Sequence, residues 1–348
     1  MAFGAFMGFT ALAATAMPFW AATRVSILWT IAVETAAYRP LRVRKVPMCI
    51  ILYLPDPMAG PARRPGVLME EPALIIFTLL LQAAAGAAWW LAGLIPWLAG
   101  HGDPAGARAL AAWGWPGVAG MAVAGVLASC GHLGVPANAW RAACHWRTSW
   151  LSREILAATT FTGLALAAAA AARAGLPGAW AQGLAAASGL ILVHCMARAY
   201  RLGPVPAWNT PITPVVFFST ALLLGGGTLG VILASLPGHR AGPLEPVWSI
   251  WATAVVLLTS SNLILTGLWL AQLPEAMKAR MLDRHRFLVA GRFGLALAGI
   301  GAVVLARSGG GQLPLRLGAI LAMAGSEGFG RALFYSGRLA HGVYLYKG

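Results

Sequence analysis

Apolar residues in this chain come in runs of about twenty, each closed by a short polar or Gly/Pro-rich break. The runs fall at roughly 73–95, 110–131, 152–173, 180–201, 212–235, 247–270, 288–307 and 315–340. At about 1.5 Å per residue, a helix of that length crosses a hydrocarbon core of about 30 Å. The breaks include "GHGDPAGAR", "RAGLPG", "LPGHRAGPLEP", "QLPEAMKARMLDRHR" and "RSGGGQLPLR". Gly and Pro interrupt a helix where its backbone reaches water. Segment 204–214 carries Pro204, Pro206, Pro211 and Pro214, so it is not helical throughout. Long runs rich in Ala, Leu and Gly exclude a barrel, whose strands alternate over about ten residues. The pattern predicts an all-α membrane protein, a bundle of eight transmembrane helices over residues 69–348. No soluble domain fits between the spans, and no internal repeat stands out.

Residues 1–68 differ in kind. An apolar stretch broken by Arg24 leads into "YRPLRVRKVP" and then "LPDPMAGPARRPG". It lacks the basic start and cleavage site of a signal peptide. Met69 opens "MEEPALIIFTLLLQ", which has the look of a natural beginning. The expectation is an N-terminal extension or a misassigned start. An additional hydrophobic anchor helix is the alternative.

Composition agrees with the pattern. Charged residues make up 10% of the 348, against about 25% in soluble chains, and mean hydropathy is +0.72. The formal net charge of +15 belongs to basic loops that set orientation rather than to a nucleic-acid surface. Basic residues are denser on the loops after the second, fourth and sixth runs, which places those loops in the cytoplasm. Cys49, Cys130, Cys144 and Cys195 show no CxxC spacing, so no zinc or iron–sulfur ligand set is expected.

Against this background, "CGHLGVPANAWRAACHWRTSWLSREIL" is dense in polar groups. His132 closes the second run and Glu154 opens the third, so a helical hairpin returns them to one depth. Ionisable groups at a bilayer edge are paired, hydrated or functional. A neutral imidazole accepts a quinol proton near working pH, because histidine's unperturbed pKa is about 6.5. A carboxylate held partly out of water then relays it. The plainer alternative makes His132 a helix cap and pairs Glu154 with Arg153 or Arg141. Within the last run Glu327 and Arg331 stand i,i+4 on one helix face and are expected to form a structural ion pair. A haem would need two histidines at matching depth, and His194 with His132 is a poor match.

The segments "EEPALIIFTLLLQAAAG", "GHLGVPANAWRA", "SREILAA", "MARAYRLGPVPAWNTPITPVVFF" and "GSEGFGRALFY" occur in that order. Together they resemble the membrane anchor subunit of the dimethyl sulfoxide reductase family, over about residues 69–345. The resemblance implies a haem-free anchor of eight helices in the bacterial inner membrane, with no metal in this chain. It implies menaquinol oxidation, with electrons passed to an iron–sulfur subunit of four clusters and then to a molybdopterin catalytic subunit that reduces a sulfoxide or N-oxide. The family's quinol-site histidine, in its His-Leu-Gly-x-Pro motif, falls on His132. Its functional glutamate falls on Glu154, and Arg141 is a third quinol-binding candidate. The arginine before Glu154 and the basic, aromatic loop "CHWRTSW" depart from the family pattern. Competing readings are an anchor of a polysulfide, tetrathionate or selenate reductase, a secondary transporter, or a purely mechanical anchor.

Overall fold

The computed structural model describes residues 72–130, 142–176, 178–236, 245–308 and 312–342, all within the unit Glu71–Gly348. The 1–68 segment therefore lies outside the described residues. Each apolar run becomes a helix: α1 Pro72–Gly100, α2 Pro104–Cys130, α3 Trp150–Arg173, α4 Ala179–Ala199, α5 Ile212–Ser235 and α6 Glu245–Ala271. A short α7, Glu275–Arg284, precedes α8, Arg286–Ser308, and α9, Gln312–Gly342.

Seven of these helices are long and apolar enough to cross a membrane. The remaining long helix, α9, has 31 residues, or about 46 Å, but carries Arg316, Glu327 and Arg331. The expectation of eight spans thus meets seven apolar helices and one long helix with a polar stripe. Successive spans alternate in direction. The start of α1, the ends of α2, α4, α6 and α9, and the starts of α3, α5 and α8 share one face, here the Glu154 face.

Helix α1 is the axis of the bundle, packing on α2, α3, α4, α5 and α9. Its crossing with α5 is a backbone-to-backbone contact. A Cβ at Gly86 would lie 1.8 Å from the Ala221 carbonyl oxygen, and one at Gly225 would lie 2.2 Å from the Gly86 carbonyl carbon. Small residues let helices approach where lipid offers no hydrophobic drive to pack. Outward-facing side chains such as Leu166, Ile191, Leu257, Ile264, Leu297 and Leu321 are exposed and apolar, as suits contact with lipid. The tight turns on the far face use left-handed glycines, Gly102 and Gly175.

Candidate functional site

Two buried polar assemblies stand out among the described residues. The first surrounds Glu154. Helix α3 begins at the N-cap Ser149, whose hydroxyl accepts from the Ser152 N–H at 3.4 Å. The Ser152 hydroxyl donates to the carbonyl of Ala142, tying the helix start to the preceding loop. Glu154, in the early turns of α3, is only 3% exposed, and its Oε1 has no hydrogen-bond partner. A buried carboxylate oxygen without a donor is costly, so such an atom marks a place where a ligand or water belongs.

Arg153 does not supply that donor. Adjacent helix residues point about 100° apart, and Arg153 turns outward. Its Nε donates to the Trp146 carbonyl at 2.8 Å and its Nη2 to the Arg147 carbonyl at 2.9 Å. Its guanidinium also lies 4.2 Å from the centre of the Trp150 ring. The same indole meets its neighbours on α4, with the His194 ring in an edge contact at 5.8 Å and the Arg198 guanidinium at 5.0 Å. The sequence-level pairing of Glu154 with Arg153 is thus corrected by geometry. His132 and Arg141 lie outside the described residues.

Behind Glu154 the bundle is polar and aromatic. The carboxylate lies within electrostatic reach of Tyr335 on α9 and Cys195 on α4. Tyr335 donates to the Tyr200 hydroxyl at 2.8 Å and reaches Thr78 Oγ1 on α1 at 3.5 Å. Tyr200 packs against Trp208, Phe217 and Phe334 with ring centroids 5.5–5.8 Å apart. Trp208 belongs to the proline-rich 204–214 segment. Its indole donates to the Phe334 carbonyl at 2.7 Å, while Trp269 donates to the Ala207 carbonyl at 2.7 Å. These two bonds fasten that loop into the Glu154 face.

The second assembly lies deeper. Glu327 is 3% exposed and accepts from Thr220 on α5 at 2.8 Å, from Asn262 on α6 at 3.1 Å and from Arg292 on α8. Its salt bridge is with Arg292, not with Arg331 one turn along its own helix. Arg331 instead donates to Gln82 on α1 and lies 4.1 Å from the centre of the Phe217 ring. The expected pair is corrected for a physical reason: a neighbouring helix places a guanidinium end-on to the carboxylate, whereas Arg331 extends across the α9–α1 interface. Arg292 also donates to Thr266 and Ser326. A cavity of about 40 Å³ lies between these groups, lined in part by Thr213, Thr266 and Trp269. That exceeds the ~10–15 Å³ needed for one water.

Sequence reading missed Gln82, Tyr200, Arg292 and Tyr335. Gln82 carried a signal, being one amide within "LIIFTLLLQAAAG". Arg292 reads in the sequence as a helix-end charge, although it is 2% exposed.

A family profile described as "DMSO reductase anchor subunit (DmsC)" matches residues 67–337. The YnfH chain of anaerobic dimethyl sulfoxide reductase from Escherichia coli is 28% identical over 290 residues, covering 79% of this chain and 98% of that one. The C chain of anaerobic dimethyl sulfoxide reductase from Haemophilus influenzae is 28% identical over 228 residues, covering 64% and 79%. The C subunit of sulfite dehydrogenase from Allochromatium vinosum is 30% identical over 157 residues. That match covers 40% of this chain and 46% of the relative, so it spans less than half of that protein.

Proposed function

Because this chain belongs to the DMSO reductase anchor subunit (DmsC) family, we propose that it oxidises menaquinol at the Glu154 face and hands the electrons to an iron–sulfur partner. The chain is a multi-pass membrane anchor of a DMSO reductase-type complex. In this reading α9 is its eighth crossing, and the chain holds no haem or metal of its own. The observation that carries the site is the buried Glu154 carboxylate with its unpartnered Oε1.

Oxidation of a quinol to a quinone releases two protons and two electrons. One quinol hydroxyl donates to His132, which takes the proton as a neutral imidazole. Glu154 accepts the second hydroxyl's hydrogen bond at Oε1 and passes that proton towards water at the membrane edge. Arg141 holds the developing quinone oxygen. Behind the carboxylate, the cluster of Tyr335, Tyr200 and Trp208 supplies the apolar, aromatic side of the site. The electrons leave through the iron–sulfur subunit of four clusters to a molybdopterin subunit, where a sulfoxide or N-oxide is reduced.

The relative named sulfite dehydrogenase favours a second reading, in which the same site runs in reverse and delivers electrons to the quinone pool. The Glu154 site is unchanged, and the two protons and two electrons run in the opposite direction, taken up by a quinone.

His132→Leu tests the site. Loss of a general base lowers rate by about 10²–10⁴-fold. Quinol-driven turnover of the complex is expected to fall within that range, while reduction driven by dyes that feed the iron–sulfur subunit stays normal. Glu154→Gln lowers quinol turnover in the same direction but less, because edge water partly replaces a relay. Normal quinol oxidation in both variants would remove the site from this face.

A further inference from the structure

The inner assembly around Glu327 carries more positive charge than it neutralises. Arg292 and Arg331 both line its cavity, and they are 2% and 4% exposed. Glu327 is the one described carboxylate that acts on Arg331, and Arg292 repels Arg331 across the same space. That carboxylate is already in a salt bridge with Arg292. Two buried cations and one carboxylate leave a single positive charge over, and a buried charge without a counter-charge is costly. Arg331 stacks on Phe217 and Phe334, 4.1 and 5.8 Å from the ring centres. Such contacts soften the cost without cancelling the charge.

The hydrogen bonds point the same way. Arg331 donates from Nη2 to Gln82, and its Nε and Nη1 have no acceptor. Arg292 spends Nε on Thr266 and Nη1 on Ser326 and Glu327, which leaves its Nη2. Unlike the sealed indole nitrogens of Trp97 and Trp115, these three nitrogens keep contact with open space. The space that both arginines line is the cavity of about 40 Å³. Acceptors beside them are already in use. Glu327 accepts from Thr220, Asn262 and Arg292. The hydroxyls of Thr213 and Thr266 give their protons to the carbonyls of Trp208 and Asn262. Val216, Leu333 and Phe334 add apolar wall.

Charged donors, spent acceptors and apolar walls suit an occupant that accepts, never donates and carries negative charge. Water would satisfy the N–H groups but leave the charge. A water needs about 10–15 Å³, so about 40 Å³ holds a monatomic anion with a water or two. Thr213 and Trp269 lie within a turn of their helix ends on the Glu154 face, so the cavity extends towards water on that side. We propose that this cavity is a halide site, in which a chloride ion held by Arg331 and Arg292 neutralises the inner assembly.

The test uses the full chain purified in detergent. Thermal unfolding is followed in sodium chloride, sodium bromide or sodium gluconate at equal ionic strength. Chloride and bromide are expected to stabilise saturably, favouring the folded state about a hundredfold at a hundredfold excess over Kd. Gluconate is too large for the cavity and should not stabilise. Crystals grown in bromide should show an anomalous peak between Arg292 and Arg331. Gln82→Glu sets a fixed carboxylate against Arg331, and its stability is expected to be independent of halide. The first two measurements use the unaltered chain and stand whether or not that variant folds. Equal stability in chloride and gluconate, or a cavity without a bromide peak, would overturn the site. A halide response in Gln82→Glu as large as in the unaltered chain would overturn it too, by placing the binding elsewhere.

Discussion

At the scale of single residues, the buried charges sort by what they lack. Glu327 has three donors from three different helices, whereas Glu154 has an oxygen with none. A satisfied buried carboxylate pins structure, and an unsatisfied one waits for a ligand. Glu327→Gln removes the counter-charge of Arg292, and breaking a buried pair in this way costs about 3–5 kcal/mol. The expected outcome is reduced accumulation in the membrane with quinol turnover per assembled complex nearly intact. Replacing both Arg292 and Glu327 with apolar residues should restore part of the yield, because a buried pair barely outweighs its own desolvation. Quantitative blotting of membranes alongside specific activity checks both outcomes. The identity of Glu327 as a buried charge was legible in the sequence, but its partner was not. An i,i+4 rule sees one helix, and Arg292 comes from another.

At the scale of elements, the hydrophobic pattern located the long helices to within about six residues at each end, since a bilayer demands continuous apolar length and internal backbone hydrogen bonding. Helix α7 escaped because its 10 residues are too few and too polar to leave an apolar run. Its signal was present: Met277 and Met281 recur at i,i+4 and are buried, while Glu275 and Lys278 pair at 2.7 Å on the wet side. The α1–α5 crossing was partly legible from the small residues of "ALLLGGGTLG", but which glycine meets which backbone depends on helix rotation. Gly225→Ala should separate α1 from α5 and remove folded protein, because its Cβ has backbone rather than a movable side chain in its way. Gly183→Ala, where nothing lies within 4 Å, is the control and should raise or preserve yield. Size-exclusion chromatography in detergent separates the two cases.

At the scale of the whole molecule, the described basic residues are unevenly spread, with Arg108, Arg173, Arg307 and Arg316 on the far face and the larger number on the Glu154 face. Arg147, Arg284 and Arg286 are exposed at the face that also holds Glu154, with Lys278 and Arg280 half-buried beside them. In the proposed reading quinol is oxidised at this face, so the iron–sulfur subunit would dock here, and an acidic docking surface would meet these cations. His285 sits among them, but burial and the neighbouring Arg284 push its imidazole below its ordinary value. Its lowered value makes it a weaker source of positive charge than the arginines and lysine around it. Arg284→Glu with Arg286→Glu is expected to weaken association with the iron–sulfur subunit roughly tenfold at low salt, chiefly by slowing encounter. The defect should shrink as ionic strength rises and the Debye length falls to about 8 Å. Surface plasmon resonance over a range of salt reads both the loss and its recovery. A partner that binds the doubly reversed variant as tightly as the unaltered chain would place docking away from this face, and with it the exit for the electrons.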